Sequence, residues 1–330
     1  MPFFSIIVPT RNRPEDLRKC LDGIAAQTFT DYEVLVIDDG SDASVREAYA
    51  QMADELGPRF RFLLPPYPCP WGSGPNAARN RGLAAAEGAY AGFCDDDDYW
   101  TDSLHLSVAA NALKRTAADA YFADQASHLA GEIVKETWLP ELRVWSAGQP
   151  PVSDDQVYSL PLEPLLACGH FPHLNISLHR KARIDRIGGF WKALPYEGDR
   201  HFFWRMMDGV GDILYRPVSI GVHNIPNPAL GGNVSTGLPY IEKMMTAIHL
   251  INHVKANTSD PRIVKRCQIA EMHHYGNVAD LVEKERGPRA SLPFVRHKLA
   301  ANFRLRSVLH LGAALFKAWA DRAGLWPSRR

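Results

Sequence analysis

Four consecutive aspartates, Asp95 to Asp98, directly follow a short apolar segment, Ala89–Cys94, and this pairing restricts what the chain can fold into. The apolar segment comes after Gly88 and is typical of a short buried strand. Adjacent carboxylates repel one another at neutral pH unless a cation or water screens them. Their oxygens suit Mg²⁺ or Mn²⁺ better than Zn²⁺. The pattern indicates either a cation site at a strand end or a solvated acidic turn, in which Asp98 or Asp102 caps the next helix.

The composition is that of an ordinary globular protein with a hydrophobic core. The chain has 330 residues, enough for one large α/β domain with an appendage or for two domains. Basic and acidic residues both number 37, so the net charge indicates no partner, and we expect no nucleic-acid binding. The five cysteines are scattered and form no CxxC pair, which argues against a disulfide framework and a zinc site and favours a reducing compartment.

The first hundred residues alternate between apolar strand-like segments and helix-like segments. Phe3–Val8 lacks preceding basic residues and is too short for a signal peptide or a membrane span, so we expect it to be the first strand. Glu33–Ile37 and Phe60–Leu64 are the next predicted strands, and helices are predicted from Pro14 and over Ser44–Leu56. This alternation predicts a parallel sheet that is covered on both faces.

Two of these predicted strands end in acidic residues. Asp38 and Asp39 follow the second strand, and Asp95 to Asp98 follow the fourth. Because ligands bind outside the carboxyl ends of the strands in an open α/β sheet, both acidic groups are expected at the same edge. One acidic strand end is commonplace, but two of them suggest a ligand with a metal-bound charge and a second polar moiety.

The pattern is less regular after residue 100 and predicts a mixed sheet. Leu174–His179 is predicted as a strand, and Trp145–Pro164 as irregular structure. Tyr196–Met206 begins a helix with Glu197 and Asp199 at its start, where Asp199 is either an N-cap or a functional acid. His223 is either a metal ligand or an ordinary loop histidine. Residues 227–237 are rich in Gly, Asn and Ser and are a candidate lid.

From Pro239 onward only helices are predicted, so we place a domain boundary there. The predicted division is residues 1–238, with a nucleotide-binding half over 1–100 and an acceptor-binding half over 101–238, followed by a helical extension over 239–330. Residues 289–330 contain nine basic residues and one acid, Asp321, interleaved with aromatic and aliphatic residues. Such a basic amphipathic segment is typical of a membrane-surface helix, and the alternative is a helix packed on the main domain with a solvated basic face.

Five motifs along the chain resemble a known family. The motifs are Ser5–Asn12, Gln27–Phe29, Val36–Ser41, Ala78–Gly82 and Phe93–Asp98. Their order and spacing resemble those of inverting family-2 glycosyltransferases with the GT-A fold. Glu132–Thr137 and Gly198–Arg205 also resemble segments of the bacterial spore-coat polysaccharide glycosyltransferase in that family. The resemblance covers about residues 3 to 235 and does not extend to the helical tail. It implies a doubly wound α/β fold with a mixed sheet.

The resemblance implies a site for a nucleotide-diphosphate sugar, most often a UDP-sugar. Pro9, Thr10 and Arg11 match the turn that lines the nucleoside. Asp39 matches the acid that accepts a hydrogen bond from the uracil ring N–H, with Asp38 beside it.

The resemblance also implies a diphosphate and metal site. Arg79 matches a basic residue near the pyrophosphate, and Asp95 matches the acid near the ribose and the metal. Asp97 is the second acid of a DxD motif and the implied metal ligand, with Asp96 taking that role if the acids act as an adjacent pair. His223 falls where many relatives carry a further ligand. The implied cofactor is Mn²⁺ or Mg²⁺.

Asp199 matches the general base, with Glu197 as the alternative, because this chain has Glu197-Gly198-Asp199 where an adjacent Glu-Asp pair is usual.

We therefore expect an inverting, metal-dependent transfer of sugar to a hydroxyl of a saccharide or lipid-linked acceptor in bacterial surface glycan synthesis. We expect a cytoplasmic protein that can associate with the inner face of the plasma membrane. The alternatives are a non-catalytic scaffold on this fold and a sugar nucleotidyltransferase, which would need a glycine-rich loop after the first strand.

Overall fold

A computed structural model of the chain describes residues 1–65, 72–226, 237–323 and 325. The chain divides into two compact units, one of Met1–Ala193 and Gly198–Gly231 and the other of Leu194–Glu197 and Gly232–Arg330. The sequence-based boundary at residue 238 lies near the second of these junctions. That Leu194–Glu197 groups with the C-terminal unit was not predicted. Most of the candidate lid over 227–237 and most of the Pro65–Pro75 loop lie outside the described residues.

The first unit begins with four parallel strands. Strand β1 pairs with β2 and β4 on its two sides, and β2 pairs with β3. All residues of β1, β2 and β4 are buried, as expected for parallel strands with both faces covered. The strands are β1 (Phe4–Thr10), β2 (Tyr32–Asp38), β3 (Phe60–Leu63) and β4 (Tyr90–Phe93).

Three helices connect these strands: α1 (Pro14–Ala25), α2 (Ala43–Leu56) and α3 (Pro75–Ala85). Helix α1 buries Leu17, Leu21 and Ile24, which are spaced to share one face, and has a proline in its first turn. The strand–helix alternation predicted from the sequence is therefore confirmed over this part of the chain.

The sheet continues with antiparallel as well as parallel pairs. Its described strands follow the order β3-β2-β1-β4-β9-β6-β10-β5, while β7 pairs with β6 and β8 pairs with β10. Strand β9 is antiparallel to β4 and β6, and β10 is parallel to β6. The added strands are β5 (Tyr99–Trp100), β6 (Ala120–Leu129), β7 (Glu132–Lys135), β8 (Tyr158–Ser159), β9 (Ser177–Arg180) and β10 (Ile213–Asn224). The sheet is mixed, as predicted.

Helices complete the first unit, and several predicted bounds change. The helices are α4 (His105–Thr116), α5 (Pro140–Ser146), α6 (Leu162–Ala167), α7 (Lys181–Ile187) and α8 (Gly198–Met207). The predicted strand over Leu174–His179 is wrong in its first half, where Leu174–Ile176 form a 3-10 turn. The predicted irregular segment 145–164 contains β8 and the ends of two helices.

The alternative interpretation, in which Asp98 or Asp102 is the N-cap of α4, is wrong. Leu104 occupies the N-cap position of that helix. Asp102 only accepts a hydrogen bond from the Leu104 N–H, at 2.9 Å. Asp98 faces a histidine and an asparagine on other elements instead.

The second unit is helical, as predicted. Its helices are α9 (Tyr240–Asn257), α10 (Pro261–Arg286), α11 (Pro288–Ala301) and α12 (Leu305–Arg322). Ile248, Val278 and Val282 form one buried cluster. Ala279, Val295 and Ala314 form another, through which α12 packs on α10 and α11. Over the described residues, none of the helices has the length and apolar character needed to cross a membrane.

Candidate active site

The carboxyl ends of β1, β2 and β4 bring the predicted acidic residues to one edge of the sheet. Thr10 at the end of β1 lies opposite Asp38 at the end of β2. Asp39 continues from β2, and Asp95 follows β4. Because these three strands are parallel, the two acidic strand ends predicted from the sequence meet at this edge.

Asp39 binds the segment that leads into α3. Its carboxylate accepts hydrogen bonds from the Ser73 and Gly74 N–H groups at 2.8 to 2.9 Å and from the Ser73 hydroxyl. A Cβ at Gly72, where φ is +63°, would lie 2.7 Å from Asp39 Oδ2 and 3.0 Å from Arg11 Nη1. Glycine at position 72 therefore allows Asp39 and Arg11 to approach this segment closely.

Asp38, which the resemblance places beside Asp39, lies at the end of β2. Its side chain is fully buried, accepts a hydrogen bond from the Ser41 N–H at 2.9 Å and lies 3.6 Å from Arg46 Nε. Through these contacts the Asp38 carboxylate stabilises the turn that follows β2. Pro9 is likewise buried within β1. Of the predicted nucleoside turn, Arg11 is half-buried, and its guanidinium and the Asp39 carboxylate both lie beside Gly72.

Asp96 and Asp97 are held by the turn after β1. Thr10 Oγ1 donates to Asp96 Oδ2 at 2.8 Å, and Arg13 Nη1 contacts Asp96 Oδ1 at 3.2 Å and Asp97 Oδ2 at 2.8 Å. Burial raises the pKa of Asp96 to about 6 although Arg13 and Thr10 oppose it. Burial and the neighbouring carboxylates raise the pKa of Asp97 as well. Sequence reasoning missed Arg13, which its position two residues after Arg11 could have suggested.

Asp95 pairs with Arg79 on α3. Arg79 is buried, its Nη2 forms an ion pair with Asp95 Oδ1, and its guanidinium lies 5.5 Å from the centre of the Phe190 ring. Burial opposes ionisation of Asp95, but the charge and hydrogen bond of Arg79, together with His173 and His223, outweigh it and lower the pKa of Asp95. The Asp95 N–H also donates to Asn175 Oδ1 at 3.0 Å.

The Asp98 carboxylate contacts residues of β10 and of the 3-10 turn. It accepts hydrogen bonds from the Asn224 N–H at 2.6 Å and from the Asn175 side-chain amide, and it lies 2.9 Å from His223 Nδ1. Only 1% of the residue is exposed. Asn175 therefore links Asp95 and Asp98, because it accepts from one and donates to the other.

A candidate metal site lies around Asp98. One ligand atom each from Asp98, His173 and His223 lies within 4.8 Å of the others. Because His223 Nδ1 faces Asp98, its Nε2 is the nitrogen available to an ion, with Asp98 orienting the ring. Burial opposes protonation of His223, but Asp98 outweighs it and raises the pKa of His223. Two imidazoles and a carboxylate form a donor set that suits a first-row transition metal.

The predicted metal ligands are only partly brought together. His223 belongs to the cluster, whereas Asp95 and Asp97 are paired with Arg79 and Arg13 and do not join it. Sequence reasoning missed His173 and Asn175. The available signal was a histidine and an asparagine two residues apart, directly before a strand.

Asp199 lies in the first turn of α8, and its Oδ1 accepts a hydrogen bond from the Arg200 N–H at 2.8 Å. It is half-buried, and its charge acts on both Arg79 and His173. A Cβ at Gly198 would lie 2.1 to 2.5 Å from the amide atoms of Asn76 on α3. The glycine between Glu197 and Asp199 therefore permits close docking of α8 on α3 within this unit.

Comparison with known proteins shows a similarity over the N-terminal part of the chain. Residues 5–139 match the family described as Glycosyl transferase family 2. The succinoglycan biosynthesis protein ExoW of Rhizobium meliloti is 35% identical over 126 residues, which are 37% of this chain and 38% of that protein. A β-1,3-glucosyltransferase of Campylobacter jejuni, named for GalNAc(5)-diNAcBac-PP-undecaprenol, is 35% identical over 121 residues, or 37% and 36% of the two chains. The match thus spans little more than a third of these relatives.

Two solved structures resemble the whole chain. The structure of S. aureus TarS 1-349 in complex with UDP-GlcNAc has a TM-score of 0.67 at 18% identity and covers 100% of this chain and 93% of that one. The mannosyltransferase PcManGT from Pyrobaculum calidifontis, in complex with GDP-Man and Mn²⁺, has a TM-score of 0.55 at 18% identity and covers 98% and 83%. At these identities the likeness concerns the fold. Over residues 5–139 the chain is similar to family-2 glycosyltransferases, and its fold resembles that of TarS and PcManGT.

Proposed function

We propose that this protein is an inverting, metal-dependent glycosyltransferase. It transfers a sugar from a nucleotide-diphosphate sugar, a UDP-sugar by our expectation, to a hydroxyl of a saccharide or lipid-linked acceptor in bacterial glycan synthesis. One observation carries the proposal. Asp39, the Arg79–Asp95 pair and the cluster of Asp98, His173 and His223 gather at one edge of the sheet.

The nucleoside would bind beside Asp39 and Arg11. The Ser73 N–H and hydroxyl and the Gly74 N–H orient the Asp39 carboxylate. The Ser73 N–H contacts both oxygens of Asp39, so a base N–H could take one of the two positions that it shares. The relative TarS was solved with UDP-GlcNAc, which supports a uridine nucleotide here.

The diphosphate would bind near Arg79 and the candidate metal site. Arg79 forms an ion pair with the Asp95 carboxylate, and its guanidinium can also donate hydrogen bonds to phosphate oxygens. His223 and His173, with Asp98, are the residues that would hold the ion, and their imidazoles favour Mn²⁺ over Mg²⁺. The bound ion would neutralise the charge that develops on the departing diphosphate.

Asp199 would act as the general base. It takes the proton of the acceptor hydroxyl while that oxygen forms a bond to the anomeric carbon. The bond from that carbon to the diphosphate oxygen breaks at the same time, and the nucleotide leaves with the electron pair. A single displacement from the opposite face inverts the anomeric configuration. The half-buried position of Asp199, with electrostatic reach to Arg79 and His173, supports this role.

The extension supports a membrane-surface location for the acceptor. Leu309, Phe316 and Trp319 on α12 are 58 to 64% exposed, and their spacing places them on one side of the helix. The opposite side packs through Ala314 on α10 and α11. Arg304 and Arg306 are exposed at the start of the helix. An apolar stripe beside basic residues fits an anionic lipid surface.

Calorimetric titration with UDP, GDP, CDP and ADP, each with and without Mn²⁺, tests the proposal. We expect Mn²⁺-dependent UDP binding that is lost in Asp39→Ala and kept in a control, Asp185→Ala, on the exposed side of α7. Preference for another nucleotide would overturn the donor class. Absence of binding to all four would favour a scaffold on this fold.

A further inference from the structure

A cleft in the first unit has no role in donor binding as proposed above. It has a volume of about 540 Å³, within the range of about 300 to 1,000 Å³ that is usual for small-molecule sites. Its lining comes from the segment after β7, the start of α5 and the loop before the 3-10 turn. The lining residues include Lys135, Trp138, Glu141, Gly169 and His170.

Trp138 in this cleft is held by one hydrogen bond from its backbone and one from its side chain. The Trp138 backbone N–H donates to the buried Asp124 carboxylate at 2.7 Å, and the indole Nε1 donates to the Phe171 carbonyl at 2.9 Å. The indole is nevertheless only half-buried. An aromatic ring that is held rigidly but remains accessible binds a ligand with little loss of side-chain entropy.

Polar groups surround the indole. Lys135 Nζ lies 3.0 Å from His170 Nε2 and 5.1 Å from the centre of the Trp138 ring, and the His170 ring lies 4.9 Å from that ring. An ammonium only donates, so His170 Nε2 accepts and the imidazole is neutral. The formal charges of the lining are therefore those of Lys135, Glu136 and Glu141. This mixture of donors and acceptors suits a neutral polyhydroxyl compound better than an anion.

The cleft adjoins the candidate active site at two places. The Trp138 ring centre lies 5.4 Å from that of His223 and 6.1 Å from that of His173. Beside His170, the Phe171 ring lies 5.4 Å from the guanidinium of Arg200, which follows the proposed base Asp199. A ligand in the cleft would therefore be near both the metal cluster and the start of α8.

We propose that this cleft binds a neutral saccharide unit of the acceptor, with the sugar ring packed against the Trp138–His170 surface and its hydroxyls hydrogen-bonded to Lys135 and Glu141. The assignment as acceptor rests on the proposed transferase function. The apolar face of a sugar packs on an aromatic ring, and its hydroxyls need the donors and acceptors found here. The cleft would orient the acceptor and hold it near the base.

Saturation-transfer NMR of the full-length protein tests this assignment, with methyl glycosides of glucose, galactose, mannose and N-acetylglucosamine and with the disaccharides cellobiose and maltose as probes. We expect saturation transfer from the wild-type protein to at least one neutral probe. Binding of that probe should be about tenfold weaker in Trp138→Ala and Lys135→Ala. Lys114→Ala is the matched control, because Lys114 also lies over aromatic rings, 5.0 Å from Phe3, outside the cleft. Near-ultraviolet circular dichroism checks that each variant is folded, and Trp138→Phe retains a ring if Trp138→Ala does not fold.

Titration of the same variants with UDP and Mn²⁺ separates this inference from the proposed function. We expect UDP binding to remain unchanged in the cleft variants. If UDP fails to bind the wild type while a methyl glycoside binds through Trp138, the transferase proposal fails and the saccharide cleft stands. Equal glycoside binding in Trp138→Ala, absence of all the neutral probes from the wild type, or preference for methyl glucuronide would overturn the cleft assignment.

Discussion

At the scale of single residues, the four consecutive aspartates have four different surroundings. Asp95 pairs with Arg79, Asp96 accepts from Thr10, Asp97 pairs with Arg13, and Asp98 faces His223 and two asparagines. Successive residues in a turn point in different directions, so adjacent identical side chains acquire separate roles. The partners also explain how so many carboxylates can lie close together without a net repulsion that would unfold the turn.

The metal cluster predicts which substitutions weaken cation binding. We expect His223→Ala to weaken Mn²⁺ binding by at least about tenfold, because it removes an imidazole ligand. Asp98→Asn should weaken binding by about 10- to 100-fold through the lost orientation of His223. Electron paramagnetic resonance of free Mn²⁺ measures both. His249→Ala, on the exposed side of α9, is the control, and unchanged Mn²⁺ affinity in His223→Ala would refute the site.

The position of Asp199 predicts a separation of binding from catalysis. We expect Asp199→Asn to bind UDP with unchanged affinity and to transfer sugar about two to four orders of magnitude more slowly, because a proton acceptor is lost. Calorimetry and a UDP-release assay give the two quantities. Transfer at the wild-type rate would rule out Asp199 as the base and direct attention to Glu197.

At the scale of elements, the start of α8 depends on a contact that only glycine permits. The Asn76 amide occupies the space that a Cβ at position 198 would need, and it donates to the Trp191 carbonyl at 3.3 Å. Asn80 on the same face of α3 exchanges hydrogen bonds with the Phe190 backbone at 2.8 Å. Two asparagines on α3 thereby position the segments around Asp199.

We expect Gly198→Ala to destabilise the protein by about 1 to 3 kcal/mol, because the added methyl forces α8 away from α3. Urea denaturation measures the free energy of unfolding. The double variant Gly198→Ala, Asn76→Ala should recover part of the loss, since the shorter side chain makes room for the methyl group. An equally stable single variant would show that α8 does not need this contact.

The exposed stripe of α12 predicts lipid binding. We expect the triple variant Leu309→Ser, Phe316→Ser, Trp319→Ser to lose sedimentation with vesicles of phosphatidylcholine and phosphatidylglycerol. Arg304→Ala and Arg306→Ala should each lower binding to these anionic vesicles by about fivefold. The effect of each substitution should be smaller at high salt, because salt screens the charges. Val144→Ser, at a position that is 78% exposed on α5, is the control. Wild-type sedimentation of the triple variant would contradict this role.

At the scale of the whole molecule, buried histidines make stability depend on pH. His105 is fully buried, with neither ring nitrogen hydrogen-bonded, and packs 4.8 Å from the Trp100 ring. Burial and the charge of Arg216 lower its pKa to about 3, although Asp102 opposes them. An unfolded histidine has a pKa of about 6.5. The unfolded chain therefore binds more protons between these values, and stability falls as the pH drops below about 6.5.

We expect His105→Leu to lose less stability than the wild type between pH 7.5 and pH 5. The expected difference at pH 5 is about 2 kcal/mol, from the pKa values of about 3 and about 6.5. Urea denaturation across this range measures it. His249→Leu, at an exposed position, should follow the wild type, and parallel pH profiles of His105→Leu and wild type would show that His105 is not responsible.

Much of the fold could be predicted because its signals are local. Continuous apolar segments predicted β1, β2 and β4, proline marked the start of α1, and the sequence after Pro239 predicted only helices, as found for α9 to α12. The segment 174–179 was misjudged because its alternation resembles a strand. A tertiary contact overrides that pattern, since Asn175 turns toward Asp95 and Asp98 and bends the chain into a 3-10 turn.

The sequence by itself determined the alternation of strands and helices, the acidic strand ends and the family motifs. These features depend on residues that are close along the chain. Only the tertiary structure decided the partners of the aspartates. His223 meets Asp98 across 125 positions, and Asn175 meets Asp95 across 80. No periodicity or spacing encodes such pairs. They arise because β6, β9 and β10 complete the sheet beside β4 and carry distant side chains to the ends of the parallel strands.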